Sequence, residues 1–118
     1  MVSRLYGRRK AFIQDYTEKL VEEGFVVYSD LPGYLPPPTV GSYRPDILAR
    51  NISQRRFITV KPAKTYDRDS PELSALRQYS QDTPGVSFTV FTVDENGESR
   101  LEENTENPEP KGQYSESS

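Results

Sequence analysis

Two residues of opposite charge, an aspartate and a lysine, flank a largely apolar part of this sequence. Side chains of these types can bind a metal ion or take part in catalysis. Asp46 follows Pro45, and Lys61 lies fifteen residues later, directly before Pro62. The chain contains no histidine and no cysteine, which excludes histidine-dependent nucleophilic triads and metal sites built from imidazole or thiolate. Chemistry in this chain must therefore use Asp, Glu, Lys, Tyr or backbone groups, a set that suits a hard cation with oxygen ligands.

A predicted β-hairpin positions these residues. The apolar segments 47–49 and 57–60 flank the polar stretch 51–54, a pattern typical of an antiparallel hairpin centred between residues 52 and 53. That register places Asp46 opposite Thr59. Side chains alternate between the two faces of a strand, so Lys61 lies on the same face as Thr59. The hairpin thus brings three polar groups together beside an apolar surface.

The elements around the hairpin complete an α/β pattern. Apolar residues recur at helical spacing over 8–23, where Gly24 supplies a stop, and an apolar run over 25–28 predicts a strand. A proline-rich loop follows at 31–42. Ser70, Pro71 and Glu72 are typical of a helix start and predict a second helix over 71–81, and alternation predicts a last strand over 86–93. The predicted order is α-β-β-β-α-β.

The motif residues carry a resemblance to a known superfamily. The segment Tyr-Arg-Pro-Asp-Ile-Leu-Ala-Arg at 43–50, with Phe-Ile-Thr-Val-Lys at 57–61, resembles the core motif of PD-(D/E)XK nucleases. The resemblance covers residues 8 to about 93. A helix that ends in Gly-Phe before a strand is a feature that also resembles archaeal Holliday-junction resolvases. It implies a restriction-endonuclease-like core with a mixed central sheet flanked by two helices.

The resemblance also implies a site. In the family, two acids bind Mg²⁺ or a similar cation, and a lysine two residues after the second acid activates water or stabilises the transition state. It therefore implies Asp46 and Lys61 as catalytic residues, with Asp46, Thr59 and the Val60 carbonyl as ligands of Mg²⁺ or Mn²⁺. Thr59 stands where the family has an acid, and a hydroxyl is a weaker ligand than a carboxylate.

Acids elsewhere could replace the missing one. Glu72 at the start of helix 2 and Glu23 at the end of helix 1 are the candidates. Resolvase-like members also carry an acid near the start of helix 1, where this sequence has residues 11–14, and the nearest acid is Asp15. Each motif residue also has a structural interpretation, since Asp46 could only brace its strand and Lys61 could only end an exposed edge.

Charge divides the chain into two parts. Residues 94–118 carry a net charge of −6, so the overall −3 leaves +3 for residues 1–93. We predict an α/β domain over 1–93 and an acidic, disordered tail over 94–118, in which Leu101 could belong to a last short strand. Basic residues around the hairpin and the following loop are expected to bind phosphates: Arg44, Arg50, Arg55, Arg56, Lys64 and Arg68. A further basic cluster with Tyr6 contains Arg4, Arg8, Arg9 and Lys10.

Together these features predict a nucleic-acid-binding PD-(D/E)XK-like protein that acts on DNA as a weakly active or inactivated Mg²⁺-dependent endonuclease. The alternative is a non-catalytic interaction module that keeps the fold and binds a protein through the loop Pro36–Pro38, with Tyr34 and Leu35 as anchors. A homodimer is a family-level expectation. The sequence has neither a membrane-length apolar stretch nor the apolar region of a signal peptide, so the expected location is cytoplasmic.

Overall fold

A mixed five-stranded sheet with a helix on each face forms the protein. The computed structural model describes the backbone of residues 4–107 and the side chains of residues 8–107. Its helices are α1 (Arg4–Glu22) and α2 (Pro71–Asp82), and a 3-10 turn spans Ala63–Thr65. Its strands are β1 (Val26–Ser29), β2 (Ile47–Arg50), β3 (Arg55–Pro62), β4 (Val86–Val93) and β5 (Ser99–Thr105). The predicted α/β class and element order are confirmed, with β5 added.

The strands lie in the sheet in chain order. β1, β2 and β3 form an antiparallel meander, β4 runs parallel to β3, and β5 is antiparallel to β4. Ile47 lies opposite Ile58, which confirms the predicted hairpin register. The Asn51 side chain fixes the turn, because its Oδ1 accepts hydrogen bonds from the backbone N–H groups of Ser53 and Gln54, both at 3.0 Å.

Alternate residues of the hairpin face opposite helices. Ile58 and Val60 pack in one core cluster with Ile13 and Leu20 of α1. Phe57, which precedes Ile58 and so faces the opposite side of the sheet, packs in a second cluster that contains Leu73 and Leu76 of α2. The sheet is therefore buried on both faces, which explains why its central strands read as continuous apolar runs.

Local signals set the helix ends. Ser70 Oγ accepts a hydrogen bond from Leu73 N at 3.3 Å, and Pro71 occupies the first turn of α2, as the sequence predicts. Gly24 has a φ of +97° just after α1, a conformation that costs little only for glycine. The main difference lies at the start of α1, which begins at Arg4 rather than at residue 8.

β5 corrects the predicted end of the domain at residue 93. Asp94 begins a tight turn, in which its Oδ1 accepts hydrogen bonds from the N–H groups of Asn96 and Glu98, both at 2.9 Å. The polar side chains of β5 find partners, since Glu103 pairs with Arg77 of α2 and Glu102 accepts a hydrogen bond from Thr92 at 2.9 Å. Such a strand can pair without an apolar face of its own. The rest of the predicted tail, 108–118, lies outside the described residues.

Candidate functional site

Asp46 supplies a hydrogen-bond partner to the end of β3 that extends beyond β2. Its N–H donates to Ile58 O at 3.1 Å, and its Oδ2 accepts a hydrogen bond from Val60 N at 2.7 Å. β2 begins only at Ile47, so β3 continues past the start of its neighbour. Backbone groups in such a place need partners, and the Asp46 carboxylate supplies one for Val60 N–H.

Arg9 of α1 supplies the other partner. Its Nη2 donates to Asp46 Oδ1 at 2.7 Å, and its Nε donates to the carbonyl oxygen of Val60, also at 2.7 Å. The side chains of Arg9 and Asp46 are 25% and 20% exposed. One guanidinium therefore contacts two of the three groups that the resemblance assigns to a metal ion, the Asp46 carboxylate and the Val60 carbonyl. The contacts agree equally with the structural interpretation, in which Asp46 braces its strand.

The electrostatics of Asp46 reflect its burial. Removal from water raises the pKa of the Asp46 carboxyl above its ordinary value, because burial disfavours the charged form. The charge of Arg9, the Val60 N–H and the charge of Lys61 each oppose this shift without cancelling it. The influence of Lys61 on this carboxyl means that the two predicted catalytic residues share one electrostatic environment.

Lys61 pairs with Glu72, which is one of the two acids predicted as candidates to replace the acid at position 59. Lys61 Nζ lies 2.6 Å from Glu72 Oε1, and both side chains are about one-quarter exposed, at 26% and 25%. Glu72 stands in the first turn of α2, where the helix dipole also favours a negative charge. Glu23 lies elsewhere, since it precedes β1, whose first residue Val26 pairs with Arg50 at the hairpin-loop end.

Thr59 is buried beneath α2. It is 1% exposed, and its Oγ1 makes no hydrogen bond to any of the residues that the structure describes. Alternation places it on the same face as Phe57 and Lys61, as predicted. Its hydroxyl makes no hydrogen bond to Asp46. The structure therefore brings the Asp46 carboxylate to the Val60 backbone, but it does not bring the Thr59 hydroxyl to either.

The oxygen donors determine whether a divalent cation suits this site. Mg²⁺ binds through one or two carboxylates and completes its shell with water and substrate phosphate. The Asp46 carboxylate and the Val60 carbonyl have the right chemistry, and Arg9 now contacts both. Over residues 8–107 no group of three acidic side chains is arranged to hold a metal. The donors therefore fit Mg²⁺ or Mn²⁺ only if the Arg9 guanidinium moves away.

The six basic residues predicted to bind phosphates divide into two groups. Arg50 and Arg55 pair across the hairpin end, and at about 3.3 Å per residue Arg50 lies about 13 Å along β2 from Asp46. Arg56 is in that group and lies over the ring of Phe25, 5.1 Å from its centroid. The other group flanks the site in sequence and is exposed: Arg44, Lys64 and Arg68. Lys64 pairs with Glu95 at 2.6 Å.

Sequence reasoning missed the role of Arg9, which it grouped with the N-terminal basic residues. A signal was present, because Arg9 precedes Ile13 by four residues and so shares the buried face of α1. It also missed Asp30, which follows β1. Asp30 lines a cleft of about 110 Å³ together with Arg9 and Asp46. In the proline loop, Leu35 is 69% exposed while Pro37 is buried.

The remaining observations concern the chain as a whole. Of the helices within residues 4–107, neither combines the length and the apolar character that crossing a membrane requires. The side chains of Arg4 and Tyr6 lie outside the described residues, so the structure describes the N-terminal basic cluster only at Arg8, Arg9 and Lys10. Comparison with protein-family models, with curated protein sequences and with solved structures found no match to this chain.

Proposed function

We propose that this chain is a nucleic-acid-binding phosphodiesterase of the PD-(D/E)XK type with weak activity, in which Glu72 replaces the missing motif acid. The observation that carries the proposal is the Lys61–Glu72 ion pair at 2.6 Å. It brings a carboxylate to the motif lysine from a neighbouring helix, while Thr59 stays buried. The hairpin register independently supports the pairing of Asp46 with the Thr59–Lys61 segment.

The topology supports a restriction-endonuclease-like core. The resemblance implies the order α-β-β-β-α-β with a mixed central sheet flanked by two helices. The observed antiparallel β1–β3 meander, the parallel β4 and the helix on each face agree with that arrangement. A fold of this kind can host other activities, so the functional proposal depends on the side chains at the end of β2 and β3.

The residues would divide the work on a phosphodiester as follows. Asp46 and the Val60 carbonyl would hold Mg²⁺ or Mn²⁺, which supplies charge neutralisation and a more acidic bound water. Lys61 has three N–H donors. One contacts Glu72, and the others would bind the oxygens of the phosphate as negative charge grows in the transition state. Glu72 fixes the position of the lysine and adds a carboxylate oxygen.

Exposed basic residues support a nucleic acid as the substrate, and DNA is the choice that the resemblance implies. Arg44 and Arg68 lie near the site in sequence and can bind phosphates on either side of the bond to be cut. Among residues 8–107 no group of three acidic side chains is arranged to hold a metal ion, and Arg9 contacts the Asp46 carboxylate, so we expect weak cation binding and hence weak activity. A homodimer is part of the proposal as a family-level expectation only.

The test is a cleavage survey with the wild-type chain. Labelled single-stranded, double-stranded and branched DNA are incubated with Mg²⁺ or Mn²⁺, and products are resolved on denaturing gels. The proposal expects slow cleavage of at least one substrate that stops when EDTA is added. If no substrate is cut at high protein concentration with either cation, the chain is not a phosphodiesterase on DNA.

One observation favours the second candidate, a non-catalytic interaction module. Leu35 is 69% exposed, while its carbonyl oxygen accepts a hydrogen bond from Ser29 N at 2.8 Å. The loop Pro36–Pro38 therefore begins from a fixed point and presents a large apolar side chain, as an interaction anchor requires. Loss of a protein partner on Leu35→Ser, with cleavage absent in the wild type, would support this function instead.

A further inference from the structure

We infer that the Arg9 guanidinium is a tethered cation that competes with divalent cations for the Asp46 carboxylate and the Val60 carbonyl. The inference rests on the proposed function, because it concerns the regulation of the same pair of oxygen ligands. It assigns to Arg9 the role of setting the cation affinity of the site. Arg9 belongs to helix α1, outside the hairpin that carries the motif.

The geometry is that of one group bridging two acceptors. Nε and Nη2 lie on the same edge of the planar guanidinium. Nε donates to Val60 O and Nη2 donates to Asp46 Oδ1, both at 2.7 Å. Because a single edge reaches both oxygens, the two oxygens lie side by side against the guanidinium. A small cation bound to both of them would occupy the space that this edge fills, so Arg9 and the cation compete for the same place.

The surroundings keep the two oxygens in position. Asp46 Oδ2 accepts the Val60 N–H at 2.7 Å, which fixes the carboxylate while Oδ1 faces Arg9. Arg9 is tethered on the face of α1 that carries the buried Ile13, so it reaches the oxygens without the entropy cost of a free ion. The Asp46 and Val60 oxygens are thus held in place to bind a positive charge, and the Arg9 guanidinium provides that charge.

Solvent ions can reach this place. Arg9 and Asp46 line a cleft of about 110 Å³ with Lys10, Asp30 and Leu31, and their side chains are 25% and 20% exposed. The Asp30 carboxylate adds negative charge to the cleft and would favour a divalent cation once the guanidinium has gone. Removal of Arg9 therefore leaves one carboxylate, one carbonyl and a second carboxylate nearby, in a cleft that Lys10 also lines.

The test measures Mn²⁺ binding to the full chain at pH 7 by electron paramagnetic resonance of free Mn²⁺. Arg9→Gln keeps an amide donor but loses the charge, and Arg9→Lys keeps the charge in a group that cannot bridge as the planar edge does. We expect Arg9→Gln to bind Mn²⁺ at least about tenfold more tightly than wild type, a factor equivalent to about 1.4 kcal/mol. Arg9→Lys should lie between them.

Two controls isolate the site. Arg8→Gln makes the same charge change on the preceding residue of α1. It therefore reports the general effect of lost charge on Mn²⁺ binding, and it should leave the Mn²⁺ affinity within about twofold of wild type. Arg9→Gln with Asp46→Asn should lose the gain, since the carboxylate is its source. Thermal unfolding checks that each variant folds, and if Arg9→Gln does not, the comparison of Arg9→Lys with wild type decides.

Equal Mn²⁺ affinity in wild type and the Arg9 variants, or an equal gain in Arg8→Gln, would overturn the inference. Its failure is distinct from failure of the proposed function, which is read by DNA cleavage. Tighter Mn²⁺ binding in Arg9→Gln without cleavage of any DNA supports the tethered cation and contradicts the phosphodiesterase. Cleavage by the wild type with unchanged Mn²⁺ affinity in the Arg9 variants does the reverse.

Discussion

Lys61 Nζ lies 2.6 Å from Glu72 Oε1, which ties the end of β3 to the first turn of α2. The Ser70 cap and Pro71 set the start of that helix, so local sequence signals decide where the carboxylate of Glu72 stands. The pair holds the Lys61 ammonium group at the end of β3, where the proposed function uses it. The ion pair therefore fixes the position of Lys61, to which the proposed function assigns the binding of a phosphate.

Thr59→Val is expected to leave stability unchanged or raise it by up to about 1 kcal/mol. The substitution preserves shape and removes a buried hydroxyl that has no partner among residues 8–107, and an unpaired buried polar group carries a desolvation cost. Urea unfolding measures the change. Thr92→Val is the matched control, because Thr92 Oγ1 donates to Glu102 at 2.9 Å, and this variant should be less stable.

A glutamate at position 59 is expected to destabilise the protein rather than restore the family site. Thr59 is 1% exposed, so Thr59→Glu would bury a larger and ionisable side chain beneath α2. We expect a clear fall in the urea midpoint at pH 7 and a smaller fall at pH 4, where the carboxyl can be neutral. Equal stability of Thr59→Glu and wild type at pH 7 would contradict this account of position 59.

Asp46→Ala is expected to cost about 1–3 kcal/mol, because it leaves Val60 N–H without its partner and removes one of the two acceptors of the Arg9 guanidinium. Asp46→Asn should cost less, since its amide oxygen can still accept the Val60 N–H. Urea unfolding at pH 7 gives both values. A loss below about 0.5 kcal/mol in Asp46→Ala, the range of ordinary surface substitutions, would mean that the brace contributes little to the fold.

Glu103→Gln is expected to reduce the loss of stability in acid. Burial alone raises the pKa of Glu103, but the hydrogen bond and charge of Arg77 outweigh it and leave the pKa below its ordinary value of 4.5. A lowered pKa stabilises the fold above that value, and this stabilisation disappears as pH falls through the lowered pKa. The variant should be less stable at pH 7 and flatter below pH 5. Glu98→Gln, an exposed substitution in the preceding turn, is the control.

The two basic groups are expected to differ in DNA binding. Arg44→Ala with Arg68→Ala removes two exposed charges near the site, and Arg50→Ala with Arg55→Ala removes two at the hairpin end. The first pair should lower affinity more and should reduce the salt slope by about 0.9 for each lost phosphate contact. Fluorescence anisotropy at several salt concentrations measures both. An equal or larger effect of the Arg50 and Arg55 pair would move the DNA path to the hairpin end.

Local patterns predicted much of the fold. The hairpin register, with Ile47 opposite Ile58, followed from two apolar runs around a polar turn, and the start of α2 followed from Ser70 and Pro71. The sequence indicated β5 only as a short strand at Leu101, because the rest of the Ser99–Thr105 segment is polar and has no apolar periodicity. β5 is held by contacts with neighbouring elements, such as Arg77 with Glu103, which short-range patterns do not contain.

The candidate site was predicted less completely. Alternation correctly placed Thr59 and Lys61 on one face, but burial of Thr59 depends on how α2 covers that face. The contact of Arg9 with Asp46 joins residues 37 positions apart, and no motif spans that distance. Glu72 was recognised as a replacement acid without a reason to prefer it over Glu23, and only the position of α2 against β3 separates the two.

The most direct test of the central claim compares the Mn²⁺-dependent cleavage rates of wild type, Glu72→Gln and Glu23→Gln on the best DNA substrate, at saturating protein. The two variants make the same charge change on the two acids that could replace the motif acid. The account predicts at least a tenfold lower rate for Glu72→Gln, a factor equivalent to about 1.4 kcal/mol in the barrier, and a wild-type rate for Glu23→Gln. A wild-type rate for Glu72→Gln would contradict it.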